Sequence, residues 1–401
     1  MVTVHAELVR EIYLAGYQDR KPLLPTDLHA LEAAVHDVLP PTARGYLVGN
    51  AGTGATARAN RQAFDRWRLV PRLLRDVSQR DLSVTLFGQR LPVPVLLAPI
   101  AAQTVAHPDG ELATVRAATE LDVPFVLSTA SSYPLEVIAG SAPDVPRWFQ
   151  LYWPSDRGVA ESLVRRAEAS GYSALVLTVD APTFGYRPAD LDNGYLPFLH
   201  GDGIANFTSD PVFRAGLPDD ADRMTVIRQW AAIFANPGLC WDHLPWLREL
   251  TRLPILLKGI VHPDDARRAL GYGIDGLVVS NHGGRQLDET VAALDALPAV
   301  RAAVGDSVPV LLDSGIRSGP DVMKALALGA DAVLCGRPYL YGLALAGYDG
   351  VRHVLRCLLA DLELAMALTG CTSVDDVTPS LVTAPGVTSY VPNGQAVGSL
   401  G

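Results

Sequence analysis

From about residue 90 onward, short and continuously apolar runs alternate with amphipathic segments. The apolar runs are Val93–Ile100, Pro124–Thr129, Arg147–Tyr152, Ala174–Asp180, Ile255–Ile260, Gly276–His282, Val310–Gly315 and Ala332–Arg337. They lack polar alternation, which is how strands buried on both faces read. Helix starts stand out between them: Pro108-Asp-Gly-Glu, Pro263-Asp-Asp-Ala-Arg-Arg and Gly319-Pro-Asp-Val. Each places an acid in a first turn, where the helix dipole favours it. Eight strand–helix repeats predict an α/β fold, a (β/α)8 TIM barrel. An open doubly wound sheet is the alternative, but it would normally carry a Gly-rich turn after its first strand. Here that strand runs out through Leu97-Ala-Pro-Ile-Ala-Ala-Gln.

Three stretches fall outside the repeat. Residues 1–90 are expected to be an N-terminal helical segment packed on the barrel, with helices over Asp27–Val38 and Thr56–Val70. Residues 91–377 are expected to form the barrel itself. Between the fourth and fifth strands, residues 181–254 are far longer than one helix needs and rich in Tyr, Phe and Trp. They predict a lid over about 188–254 with a helix near Asp222–Phe234, rather than a disordered insert. Residues 378–401 lack periodicity and read as an extended or frayed tail.

Composition narrows the class. The chain has 401 residues, 49% hydrophobic and 19% charged, enough for a sizeable core and unlike a disordered or collagen-like chain. Lys plus Arg is 33 against 43 Asp plus Glu, a net charge of −10, and no basic cluster marks a nucleic-acid partner. No apolar run reaches membrane-span length, and the N-terminus lacks the zones of a signal peptide. Cys240, Cys335, Cys357 and Cys371 have no metal-ligand spacing, so reduced, buried thiols, no metal and a cytoplasmic location are expected. Only three basic residues are lysines (Lys21, Lys258 and Lys324), so a lysine inside an apolar run asks for a specific cause.

Candidate chemistry gathers at the strand ends, which form the active-site mouth of such a barrel. Strand three delivers Gln150 and Tyr152, strand four Thr178 and Asp180, strand five Lys258. Strand six delivers Ser280, Asn281, His282 and Arg285, strand seven Asp313 and Arg317, strand eight Gly336 and Arg337. Six successive strands supplying polar groups to one rim is more than stability requires. Gly315 with Arg317, and Gly336-Arg337-Pro338, fit a phosphate site on a substrate or on a cofactor such as FMN; tight βα turns explain the glycines equally well. Lys258 in Ile255-Leu-Leu-Lys-Gly fits either a Schiff-base lysine or a cation beside an electron-rich ring, ahead of a snorkelling surface residue. The string Ser280-Asn-His-Gly-Gly-Arg-Gln-Leu-Asp288 is the most specific. It sets a base, His282, and a carboxylate-binding guanidinium, Arg285, on one turn, although a lone His is more often structural.

With these motifs the sequence resembles the FMN-dependent 2-hydroxy-acid oxidases and dehydrogenases. Besides Ser-Asn-His-Gly-Gly-Arg-Gln, the likeness rests on Trp148-Phe-Gln-Leu-Tyr152, Leu177-Thr-Val-Asp180, Leu257-Lys-Gly, Leu312-Asp-Ser-Gly-Ile-Arg317 and Cys335-Gly-Arg-Pro338, and spans about Pro40 to Leu368. Within the family, Leu151–Arg157, Tyr186–Leu191 and Asn206–Phe213 look most like lactate 2-monooxygenase. The resemblance implies His282 as the base, Asp180 as its partner, Tyr152 on the substrate oxygen, and Arg285, Arg187 and Tyr46 around the substrate carboxylate. It implies Pro99, Ala101, Ser128, Gln150, Thr178, Ser280 and Lys258 about the flavin ring. Asp313, Gly315, Arg317, Gly336 and Arg337 would hold the ribityl and phosphate groups.

The expectation is therefore FMN-dependent oxidation of a small 2-hydroxy acid by O2 in a homo-oligomer, a tetramer by resemblance. The outcome is either oxidative decarboxylation, as in lactate 2-monooxygenase, or release of the oxo acid and H2O2. Ala101 stands where the monooxygenase branch has Gly. Ala130 stands where glycolate oxidase-like members have a large aromatic, and Phe184 replaces a smaller aliphatic, so a bulkier acid is expected. The rivals are a phosphate-binding lyase or isomerase using Lys258 covalently, and a flavin binder without turnover.

Overall fold

The computed structural model describes residues 5–384. All eight expected runs form strands: β1 (Val95–Leu97), β2 (Phe125–Ser128), β3 (Arg147–Leu151), β4 (Leu175–Thr178), β5 (Ile255–Ile260), β6 (Gly276–Val279), β7 (Val310–Leu312) and β8 (Ala332–Cys335). They pair in parallel and in chain order, and β8 returns to β1 through Leu334 opposite Leu96, closing a barrel. Except for β5, the strands are shorter than the apolar runs at their C-terminal ends. Asp180, His282, Gly315 and Arg337 leave the ladder there, and His282 and Gly315 take positive φ of 58° and 102°, outside the regular β region.

The barrel interior is filled by side chains such as Leu96, Val126, Trp148, Val176, Leu256 and Val278. At its N-terminal end a hairpin, Val84–Leu86 with Gln89–Leu91, pushes Phe87 against Trp148, with ring centroids 5.7 Å apart. The opposite residues of each strand, including Leu97, Leu127, Phe149, Leu177 and Leu257, bury themselves in the larger layer beneath the helices. A helix follows every strand: Gly110–Glu120, Leu135–Ser141, Arg157–Ala169, Leu244–Leu250, Pro263–Leu270, Ala293–Val304, Gly319–Ala327 and Arg337–Thr369. The three helices with sequence-visible starts begin within two residues of them. The last helix bends at Ala346–Gly347.

Several boundaries differ from expectation. The expected helix over Thr56–Val70 ends at Arg66; Arg68–Leu69 instead pair antiparallel with Val382–Thr383, because Val70-Pro71 favours extended backbone. The described part of the tail is thus a helical turn, Pro379–Leu381, and a short strand, while 385–401 lie outside the described residues. Helices Glu7–Gly16 and Pro41–Val48 were not anticipated. The insertion ends earlier than 254: Leu244–Leu250 is the layer helix after β4, its Trp246 packed on Trp153 and under Arg157. The insertion is ordered, with short helical turns and the long helix Arg223–Phe234. Cys335, Cys357 and Cys371 are buried, but Cys240 is exposed at the start of a turn. No described helix is long and apolar enough to cross a membrane.

Candidate active site

His282 sits where β6 gives way to the mouth. Ser280 Oγ accepts its backbone N–H at 3.0 Å, and the next amide, of Gly283, donates to Ser314 Oγ at 3.0 Å. These bonds hold a left-handed residue that would otherwise cost about 1–3 kcal/mol of strain. The imidazole is fixed from both sides. Nδ1 is 2.9 Å from Asp180 Oδ1, and Nε2 is 3.3 Å from the Tyr152 hydroxyl. With Nδ1–H given to Asp180, Nε2 presents its lone pair to the cavity. Asp180 Oδ2 is buried without a hydrogen-bond partner among the described residues. Burial, then the nearby Asp180 charge, pushes the Tyr152 phenol well above its usual range, so it enters the site as a donor.

The charges around this group do not balance. Lys258 is only 4% exposed, with Nζ 2.8 Å from Asp313 and 3.1 Å from Ser280 Oγ. Burial works against its charge, but Asp313 and Asp180 outweigh it, so the ammonium holds its proton more firmly than an ordinary lysine. The buried ion pair with Asp313 weighs against the Schiff-base reading, which needs a free amine. Arg187 pairs with Asp190 at 3.2 Å and leaves a buried Nε unpartnered. Three acids are therefore spoken for, by His282, Lys258 and Arg187.

The remaining guanidiniums meet neutral oxygens. Arg285 donates to the carbonyls of Gly49 at 2.5 Å and Tyr46 at 2.6 Å, and lies over the Tyr46 ring. Arg337 donates to Gly283 O and Asn50 Oδ1, and Arg317 to Ile316 O. Burial, followed by repulsion from Arg187 and Arg337, brings the Arg285 pKa down to about 10; burial lowers that of Arg317 as well. Buried cations without carboxylate partners call for anions from outside the chain. Arg285 beside His282 suits a carboxylate, and Arg317 with Arg337 suits a phosphate.

Residues 35–384 match the family described as FMN-dependent dehydrogenase. The chain belongs to it. It is 46% identical to an L-lactate oxidase of Lysinibacillus sphaericus over 345 residues, covering 86% of this chain and 89% of that one. It is 42% identical to human 2-hydroxyacid oxidase 1 over 88% of this chain and 94% of the relative. A solved structure of mandelate oxidase with (S)-2-phenylpropionate matches with a TM-score of 0.80 and 42% identity, over 90% of this chain and 99% of that one. Like its family, the protein is an FMN-dependent enzyme of 2-hydroxy-acid oxidation.

The donor set fits that cofactor. Gly315 lines the Arg317 end of the cavity with φ of +102°, and a Cβ there would lie 2.9 Å from Phe64, so glycine lets the helix that carries Phe64 pack close behind this loop. Ser128 Oγ donates to Gln150 Oε1 at 3.0 Å and Gln150 Nε2 to Thr178 Oγ1 at 2.9 Å, a polar chain across β2, β3 and β4 suited to the polar edge of a flavin. Lys258 supplies a fixed cation on β5.

Of the residues expected at the site, Tyr46, Pro99, Ala101, Tyr152, Arg187, Lys258, His282, Arg285, Asp313, Gly315, Arg317, Gly336 and Arg337 line one cavity. Asp180, Ser128, Gln150, Thr178 and Ser280 stand behind that wall and bond to it or to one another. Ala130 is buried, and the space beside it is taken by the insertion: a Cβ on Gly203 would meet Ala130 O at 2.9 Å and Phe198 at 2.8 Å. Asn50, Asp190, Ser314, Phe198 and Phe234 were missed. Asp190 alone carried a signal, standing three residues after Arg187 on a helical turn.

Proposed function

We propose that the protein oxidises a 2-hydroxy acid with a bulky apolar or aryl side chain to the 2-oxo acid, with O2 as acceptor. The observation that carries this is the His282 Nε2 lone pair, backed by Asp180, opening beside Arg285, a buried guanidinium whose partners are neutral. Arg285, Arg187 and the Tyr46 hydroxyl bind the carboxylate and orient C2. Tyr152 donates to the substrate oxygen, and His282 takes the proton released as the alcohol becomes a carbonyl. Asp180 stabilises the imidazolium that results. FMN, when bound, accepts the two electrons. Phe184, Phe198 and Phe234 supply the side-chain wall, with Phe184 and Phe234 stacked at 5.9 Å and Phe198 tilted against Phe234 at 5.7 Å.

The test is anaerobic mixing of the yellow protein with glycolate, L-lactate, mandelate and longer 2-hydroxy acids, reading flavin bleaching. Mandelate or a longer acid should bleach fastest. A preference for glycolate would overturn the bulky-substrate reading, and no bleaching by any acid would overturn the activity.

A second reading, oxidative decarboxylation as in lactate 2-monooxygenase, is favoured by the insertion's anchorage. Asn206 Nδ2 donates to Thr129 O at 3.0 Å, its Oδ1 accepts Leu135 N–H at 2.7 Å, and Asp202 bonds Thr104 at 2.7 Å. A lid held down keeps oxo acid and peroxide together. Product analysis under air separates the two: oxo acid plus H2O2, or the shortened acid plus CO2 and water. A cytoplasmic homotetramer completes the reading, with light scattering to check the assembly.

A further inference from the structure

Glu111 is a buried acid that the chemistry above does not use. It is 1% exposed, in the first turn of Gly110–Glu120, and its Oε1 accepts two backbone N–H groups from different loops. Gln103 N donates from the loop after β1, at 3.2 Å, and Ser132 N from the loop after β2, at 3.0 Å. Oε2 is buried and has no partner among the described residues. The first of these loops carries Ala101, and the two are further joined by Ala102 N to Ala130 O at 2.9 Å.

The insertion rests on the same two loops. Thr104 Oγ1 hydrogen-bonds to Asp202 Oδ1 at 2.7 Å and to Ser132 Oγ at 2.8 Å, and Ala205 N donates to Ser131 O at 3.2 Å. Gly203, with φ of +76°, lies so close to Ala102 and Ala130 that only glycine fits. Glu111 therefore sits beneath the hydroxyl pair that Asp202 reaches from above.

We propose that Glu111 is a positioning residue of the active site, holding the loops after β1 and β2 as one platform on which segment 197–206 closes over the substrate. The proposal rests on the function above only for what closure retains. The groups facing Glu111 are Asp202 from the insertion, Tyr133 from the loop after β2 and Tyr339 from the last helix, with Asp109 beyond Tyr133. None is cationic. Burial, against the pull of its hydrogen bonds, raises the Glu111 pKa to about 7. The platform is thus neutral below that pH. Above it, two carboxylates face one another across the Thr104–Ser132 pair, and the closed segment loosens.

Two readouts on the holoenzyme test this between pH 5.5 and 8.5: amide hydrogen exchange of 197–206, corrected for intrinsic rates, and dissociation of phenylglyoxylate followed by the flavin spectrum. In the wild type both should rise about tenfold as pH passes through about 7. Glu111→Gln should hold them at the low-pH value throughout, and Thr104→Val should make them fast and independent of pH. Asp202→Asn, half-buried in the insertion, removes the opposing charge while keeping an oxygen that accepts from Thr104, and should shrink the step. A flat wild-type exchange profile, or an unchanged step in Glu111→Gln and Asp202→Asn, overturns the proposal. Exchange needs no substrate, so a pH step in exchange without phenylglyoxylate binding supports the platform and counts against the function instead.

Discussion

The backbone conformation of His282 ties its chemistry to its neighbours. A left-handed histidine stays in place because Ser280, Ser314 and Asp180 each hold one of its groups or the next amide. Among the described residues the ring's hydrogen-bonding partners are Asp180 and Tyr152, not the arginine pair at the phosphate end. His282→Ala is therefore expected to keep its yellow cofactor while flavin reduction by substrate slows about 10²–10⁴-fold, the usual contribution of acid–base assistance. Anaerobic stopped-flow reduction, with FMN content measured on the same sample, checks both halves. Near-normal reduction would remove His282 from the mechanism.

At the level of elements, the site depends on a helix outside the barrel. Ala55–Arg66 brings Asn60 to Asn281 at 2.8 Å and Phe64 against Gly315. Its start is fixed by Asp288, whose carboxylate accepts Thr56 N–H at 2.9 Å and Thr53 N–H at 2.7 Å. These bonds hold the Asp288 carboxyl well below the usual carboxylate range. Because that pKa is depressed, the stabilisation is complete above the unfolded value near 4 and fades only in stronger acid. Asp288→Ala should cost about 1 kcal/mol in urea denaturation at neutral pH, as loss of a helix cap does, and should weaken FMN retention. Unchanged cofactor affinity would show that the helix does not brace the cavity. The strands around it were legible because burial on both faces leaves only apolar residues to write. The gathering of polar residues at the strand ends was legible because they break that rule. Pro41–Val48 was not legible, since Pro40-Pro41 reads as a break and the helix spans barely two turns. Nor was the part played by Glu111 or Asn50: their partners are distant in sequence, and Glu111 read only as an acid at a helix start.

On the scale of the whole molecule, a chain of net charge −10 folds around a cavity in which cations prevail. Burial, with Arg337 close by, lowers the pKa of Arg317, so removing FMN should destabilise the fold beyond the loss of flavin contacts. The apoprotein should melt several degrees lower, and millimolar inorganic phosphate should recover part of the difference where chloride at equal ionic strength does not. Identical melting in the two salts would mean that the guanidiniums find compensation within the chain.

The hairpin beneath the barrel has a consequence for traffic. With Phe87 packed on Trp148, the lower end is a wall, and the C-terminal mouth is the door for acid and oxo acid alike. Arrivals and departures then queue, and an occupant slow to leave also delays the next guest.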